Sequence, residues 1–225
     1  MTQPAEHTRP NEKGGTKDIY NETYFQGGRE KSNYDNYVEQ SRGPCTILGQ
    51  SLFEFFRPAS SLDMGCAVGH TVKKLRELGC EAYGTDISSW AVSYAAAPYI
   101  IEFDAAHDVI TRSFELVHSY DVVEHIPPER LEFAARNLWR ATKKDMLVVP
   151  ATYEHGETFD PNEPTHLTFW SREQWISFFT QRIGCRFDEA ATARFESLEH
   201  TQIFNYTNRI MIFSKINAPN TTCEI

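Results

Sequence analysis

Small residues and carboxylates stand in one tight arrangement early in the chain. Ser61-Leu62-Asp63-Met64-Gly65-Cys66-Ala67-Val68-Gly69-His70 is followed by Ala82-Tyr83-Gly84-Thr85-Asp86-Ile87-Ser88, with Asp86 17 residues beyond Gly69. Glycines 65 and 69 allow backbone conformations, and a closeness of approach, that a side chain would forbid. A carboxylate at the end of a second strand is placed to accept hydrogen bonds from a ribose diol. The stretch therefore reads as a strand, a small-residue turn, a helix over residues 71–78 and a second short strand: a nucleotide-binding βαβ unit. Its spacing is neither the dinucleotide pattern G-x-G-x-x-G nor the triphosphate pattern G-x-x-x-x-G-K-[ST]. Further along, two histidines follow later strands, His125 in Asp121-x-x-Glu124-His125 and His166 in Pro164-Thr165-His166-Leu167-Thr168. Either imidazole could take a proton from a nucleophile near neutral pH.

Asp63-x-Gly65-x-Ala67-x-Gly69 resembles motif I of the class I S-adenosylmethionine-dependent methyltransferases, roughly D-x-G-x-G-x-G, with Asp86 in the position of the ribose-binding acid. It departs from that pattern at Ala67, where glycine is usual. Three more stretches fit in order. Tyr99-Ile100-Ile101-Glu102-Phe103-Asp104-Ala105 is a third strand ending where the family sets a carboxylate and an amide against adenine. Phe114-Glu115-Leu116-Val117-His118-Ser119-Tyr120-Asp121-Val122-Val123-Glu124-His125-Ile126-Pro127 resembles motif IV, with wording close to that of the ubiquinone-biosynthesis O-methyltransferases. Tyr24-Phe25-x-Gly27-Gly28 and Tyr34-x-x-Tyr37 resemble the segment ahead of motif I in small-molecule methyltransferases. The resemblance covers most of residues 20–215.

The resemblance implies a doubly wound α/β sheet of seven strands, mostly parallel with an antiparallel last strand. It implies S-adenosyl-L-methionine as cofactor, leaving S-adenosyl-L-homocysteine, bound through Tyr24, Asp63, Gly65, Ala67, Gly69, Asp86, Ile87, Asp104, Ala105 and Tyr120. The expected reaction is in-line methyl transfer to a small-molecule acceptor, at oxygen ahead of nitrogen or carbon. A protein or RNA methyltransferase and a non-catalytic cofactor-binding subunit are the alternatives.

Such a reaction needs a nucleophile aligned and, for a hydroxyl or ammonium, deprotonated. His166 is the expected base or positioning group, because it stands in a 20-residue loop-like segment after strand five, and long loops in compact domains are usually functional. His125 is expected to organise its loop, with general base as the sharper role. Asp121, Glu124 and His125 also offer oxygen and imidazole ligands, and the related E-x-x-E-H sequence is associated with a metal. Carboxylates at strand ends more often accept hydrogen bonds, so no metal is expected. Tyr20, Tyr24, Phe25, Tyr34 and Tyr37 read as an aromatic lid over the cofactor. Cys66 reads as a small turn residue, since no cation nearby in sequence would stabilise a thiolate.

These groups need a scaffold, and the chain can build one. Its 225 residues, 40% hydrophobic and 24% charged, suit a single well-buried domain. Apolar residues at helical spacing (Ile47, Leu48, Leu52, Phe55, Phe56) predict a helix ahead of the first strand. Ser88 or Ser89 caps a helix after strand two, Pro127-Pro128 opens another, and Met146-Leu147-Val148-Val149-Pro150 is a buried fifth strand. Residues 171–179 read as a helix, 186–190 as a weak strand and 208–214 as the last strand. The expected division is a tail over 1–18, a domain over 19–216 (lid and helix 19–57, cofactor half 58–150, substrate half 151–216) and a tail over 217–225. A net charge of −9 without a Lys/Arg cluster argues against nucleic acid as partner. The five cysteines lack a C-x-x-C pair, and no apolar run approaches a membrane span, so a cytoplasmic monomer or homodimer is expected.

Overall fold

In a computed structural model the described residues are 16–27, 34–95, 98–154, 163, 165–198 and 208–215. Residues 1–15 of the expected 1–18 tail, most of the loop ahead of His166 (155–162 and 164) and the expected 217–225 tail lie outside them. Six strands form one sheet: β1 (Ser60–Met64), β2 (Glu81–Asp86), β3 (Ile100–Glu102), β4 (Phe114–Tyr120), β5 (Thr142–Val149) and β6 (Met211–Ser214). Their order is β3-β2-β1-β4-β5-β6, with every pair parallel except β5 and β6. Chain order reverses between β1 and β4, and ligands of doubly wound sheets bind beyond the strand ends at such a switch point.

Helices cover both faces: α1 (Glu22–Gln26), α2 (Tyr37–Phe56), α3 (His70–Glu77), α4 (Ser89–Ser93), α5 (Pro128–Ala141), α6 (Arg172–Ser177) and α7 (Glu189–Glu196). Their starts are written locally. Ser88 accepts the Ala91 amide at α4, Pro128 opens α5, and Ser171 with Gln174 makes a reciprocal cap at α6. Strand residues alternate between two cores. Leu62, Met64, Val117 and Met146 pack against Leu131 and Leu138 of α5; Ala82, Leu116 and Leu147 pack against Leu52, Val72 and Phe195 on the other face. Each such Leu or Phe contributes about 1.5–3 kcal/mol of burial. Among the described residues no helix is long and apolar enough to cross a membrane.

The sheet has six strands among the described residues, not seven. The 186–190 segment, expected as a strand, makes a single bridge from Phe187 to Phe213 and then turns into α7, whose first turn is capped by Asp188. The third strand stops at Glu102, so Phe103, Asp104 and Ala105 form a turn at the sheet's rim, in which Asp104 Oδ1 accepts the Ala106 amide.

Candidate active site

The turn from β1 to α3 holds three residues in the left-handed region, Gly65 (φ +79°), Ala67 (φ +48°) and Gly69 (φ +78°). At Gly65 space as well as φ demands glycine, while at Gly69 the close atom is the movable end of Ile100 and φ is the constraint. A Cβ at 65 would lie 2.1 Å from Val122 Cγ2, and one at 69 would lie 1.9 Å from Ile100 Cδ1. The turn is fastened to β2, since the Gly65 and Cys66 amides donate to the Thr85 carbonyl at 2.7 and 3.0 Å. The Ala67 amide donates to Asp86 Oδ2 and the Ser88 amide to Oδ1, both at 2.8 Å. Two amides use only part of a carboxylate's accepting capacity, and Asp86 borders a cleft. Burial pushes the Asp86 carboxyl up to about 6, against the downward pull of the amides.

The cleft encloses about 300 Å³ above the strand ends, at the lower end of the range of about 300–1,000 Å³ for small-molecule sites. All ten residues expected to hold a cofactor line it except Gly69, which instead caps α3. Cys66 is in the wall too, with its thiol pushed well up by burial, so it is no thiolate nucleophile.

The aromatic arm closes one side. Asn21 caps α1 by accepting the Thr23 amide at 2.9 Å, and Ser88 Oγ donates to the Tyr20 carbonyl at 2.5 Å, which ties the arm to the β2 turn. Phe25 stacks on Trp90 with centroids 5.1 Å apart, and Tyr24 meets Tyr20, Phe25 and Tyr34 edge to face. Burial raises the phenols of Tyr20, Tyr24 and Tyr34 above their ordinary range, so they stay protonated and able to donate.

His125, Asp121 and Ile126 line the cleft next to the arm, with the Tyr20 ring edge-on to His125 at 5.9 Å. Asp121 has φ +49°, uncommon for a residue with a side chain and typical of functional loops, and its carboxylate pairs with Arg209. His125 Nδ1 lies 3.0 Å from Thr165 Oγ1 and 3.2 Å from the Thr165 carbonyl. Because Thr165 Oγ1 donates to Glu163 Oε1 at 2.5 Å, its proton is used, and His125 Nδ1 is the donor toward Thr165. That tautomer leaves Nε2 as the acceptor. Burial pulls His125 down to about 4, so the ring is neutral at pH 7.

His166 stands behind His125, outside the cleft wall, with ring centroids 4.6 Å apart. Its Nδ1 is hydrogen-bonded to the Tyr153 hydroxyl and its Nε2 lies 3.9 Å from Glu124 Oε1. Glu124 is wholly buried, accepts the Ala151 amide at 2.7 Å and is pushed up by burial and then by Asp121. Glu124, His125 and His166 hold ligand-capable atoms within 4.8 Å of one another. Asp121, grouped with Glu124 and His125 by sequence, pairs instead with Arg209.

Sequence reasoning missed Tyr153, Glu163, Thr165 and Arg209. Each reaches the site through a loop or a strand-end connection, and nothing in their spacing marks them.

A strand-end cleft at a switch point, a glycine turn bound to an acidic strand end and a capping aromatic arm define a nucleotide-cofactor site on a doubly wound sheet. Residues 37–188 match the methyltransferase domain family, and the chain belongs to it as a class I S-adenosylmethionine-dependent methyltransferase. A malonyl-[acyl-carrier protein] O-methyltransferase of Buchnera aphidicola is 27% identical over 165 residues, 70% of this chain and 66% of that relative, just under two thirds of its length. Two solved structures share the fold. An S-adenosylmethionine-dependent methyltransferase of Archaeoglobus fulgidus has a TM-score of 0.53 at 19% identity, covering 80% of this chain and 98% of its own. The O-methyltransferase of a trans-AT polyketide synthase from Brevibacillus brevis, in complex with S-adenosyl-L-homocysteine, has a TM-score of 0.54 at 16% identity, covering 81% and 73%.

Proposed function

We propose that the chain methylates a hydroxyl of a small molecule held in the cleft that the tyrosine arm and His125 both line. The observation that carries this reading is the cleft itself, in which an Asp86 with accepting capacity to spare and a neutral His125 face one cavity. Asp86 suits the ribose hydroxyls, Asp104 and the Ala105 amide the adenine, and Asp63, with donors from the arm, the methionine end. Bound there, the cofactor would supply its sulfonium methyl group for in-line transfer to the oxygen, the S–CH3 bond breaking to leave the thioether of S-adenosyl-L-homocysteine. The protein's share is alignment and dehydration. The arm excludes water, and His125 Nε2 accepts the acceptor's hydroxyl hydrogen and fixes its direction. A base held near 4 orients more than it deprotonates, since the best catalytic pKa lies near the working pH. His166 and Tyr153 brace it from behind.

Asp121 lines this end of the cleft, and Arg209 is engaged by its carboxylate. An uncharged or amine acceptor suits that end better than an acid such as the malonyl group of the relative, so a nitrogen acceptor is the second reading. Calorimetry with S-adenosyl-L-homocysteine, then methyl release against libraries of hydroxyl and amine metabolites, tests both. Binding followed by turnover of a hydroxyl compound is the expected result. Turnover of amines alone would establish the second reading, and no binding would remove both.

A further inference from the structure

His118 plays no part in the chemistry above, and its position is unusual for an imidazole. It lies in the middle of β4, a central strand, and is fully buried. The parallel register of β1 and β4 makes Asp63 and His118 direct partners. Side chains at paired positions of neighbouring strands share a face of the sheet. His118 Nδ1 accordingly lies 3.4 Å from Asp63 Oδ1, in contact but short of hydrogen-bond alignment, and neither ring nitrogen has a hydrogen-bond partner among the described residues. The Tyr120 ring packs edge-on, 5.8 Å away.

A buried polar ring with both nitrogens unsatisfied is costly, and an apolar residue would stabilise this position better. The pair does, however, sit directly under the cleft. Asp63 lines that cleft, together with Tyr120 and, from α2, Cys45. With Oδ1 drawn toward the imidazole, Oδ2 is left for whatever occupies the space above. The occupant implied there is the methionine end of the cofactor, whose ammonium needs an anionic acceptor.

The geometry points to His118 as a positioning residue: through Asp63, it orients the carboxylate that receives the α-ammonium of S-adenosylmethionine. This assignment rests on the cofactor reading and deepens it.

S-adenosyl-L-homocysteine and 5′-methylthioadenosine share adenine, ribose and a thioether, but only the first carries the ammonium and carboxylate. Calorimetry with both ligands on the full chain separates a positioning role from a merely structural one. His118→Leu is expected to weaken S-adenosyl-L-homocysteine tenfold or more and to leave 5′-methylthioadenosine within twofold. With Asp63→Asn already in place, adding His118→Leu is expected to cost nothing further, because the imidazole then has no carboxylate to act through. If His118→Leu does not fold by circular dichroism, His118→Val, whose branched side chain suits a central strand, is expected to show the same discrimination. Equal loss of both ligands, unchanged affinity for both, or an additive loss in the double variant would overturn the assignment. A wild type that binds S-adenosyl-L-homocysteine while the variant shows no discrimination overturns this assignment alone. A wild type that binds neither ligand overturns the cofactor reading, and the role of His118 with it.

Discussion

The Ala67 amide donates to Asp86 Oδ2 at 2.8 Å, so the glycine turn and the acidic end of β2 are one hydrogen-bonded unit. A change at either residue is therefore felt at the other. Loss of the Asp86 carboxylate would also release the Ser88 amide at the start of α4.

Asp86→Ala is expected to lower affinity for S-adenosyl-L-homocysteine by about 1.5–3 kcal/mol, the usual contribution of hydrogen bonds to a charged group. Circular dichroism should show the sheet intact. An affinity unchanged within twofold in calorimetry would mean that the ribose is held elsewhere.

The same carboxylate sets a pH dependence. Burial holds Asp86 near 6 in the folded protein, against about 3.9 in an unfolded chain. Between those values the folded state binds more protons than the unfolded one, so this group's stabilising contribution is fully present below about pH 3.9 and is lost as pH rises through about 6. Cofactor affinity runs the other way, because the diol needs an ionised acceptor. The dissociation constant for S-adenosyl-L-homocysteine should rise up to about tenfold per pH unit below pH 6, and Asp86→Asn should flatten that profile. A wild-type profile flat from pH 5 to 8 would count against ribose binding by Asp86.

Ala67→Gly is expected to fold and bind with stability within about 1 kcal/mol of the parent. Relief of a left-handed alanine, about 1–2 kcal/mol, is set against a lost methyl worth about 0.8 kcal/mol in the cluster with Tyr24 and Phe25 and the greater freedom of an unfolded glycine. Ala67→Val forces a branched side chain into φ +48° and should cost about 1–3 kcal/mol, with loss of binding. Thermal melts of the two variants side by side check the sign. If Gly destabilised more than Val, the strain argument would be wrong.

Much of this was legible in the sequence because it is local. The turn at Gly65 to Gly69, the acid at Asp86 and the cap at Ser88 are each written within a few residues. The helix that replaces the strand expected at 186–190 is local too, since Asp188 followed by Glu189-Ala190-Ala191 is a helix start. What stayed hidden depends on chain partners far away in sequence. The contact of His118 with Asp63 exists only because β4 lies beside β1, in a register that no spacing reveals. Likewise, both histidines follow strands, but their depth is set by how Thr165 and Tyr153 fold back against them.

That difference in depth decides the last expectation. The sequence favours His166 as the base; in the structure His125 borders the cleft, while His166 lies against the His125 ring and outside the cleft's lining. His125→Ala is therefore expected to lower turnover by about 10²-fold with cofactor affinity nearly unchanged, since acid–base and orienting groups contribute about 10²–10⁴. His166→Ala, which removes the bracing ring and the bond to Tyr153, should cost less, about tenfold. EDTA dialysis of the wild type should leave turnover unchanged, because Glu124 accepts the Ala151 amide and His125 Nδ1 faces Thr165, the roles of hydrogen-bonded structural groups. Methyl-release kinetics on the three samples decide the matter. A larger loss in His166→Ala would return the base to that residue. A loss after EDTA that is restored by a divalent cation would make Glu124, His125 and His166 ligands instead.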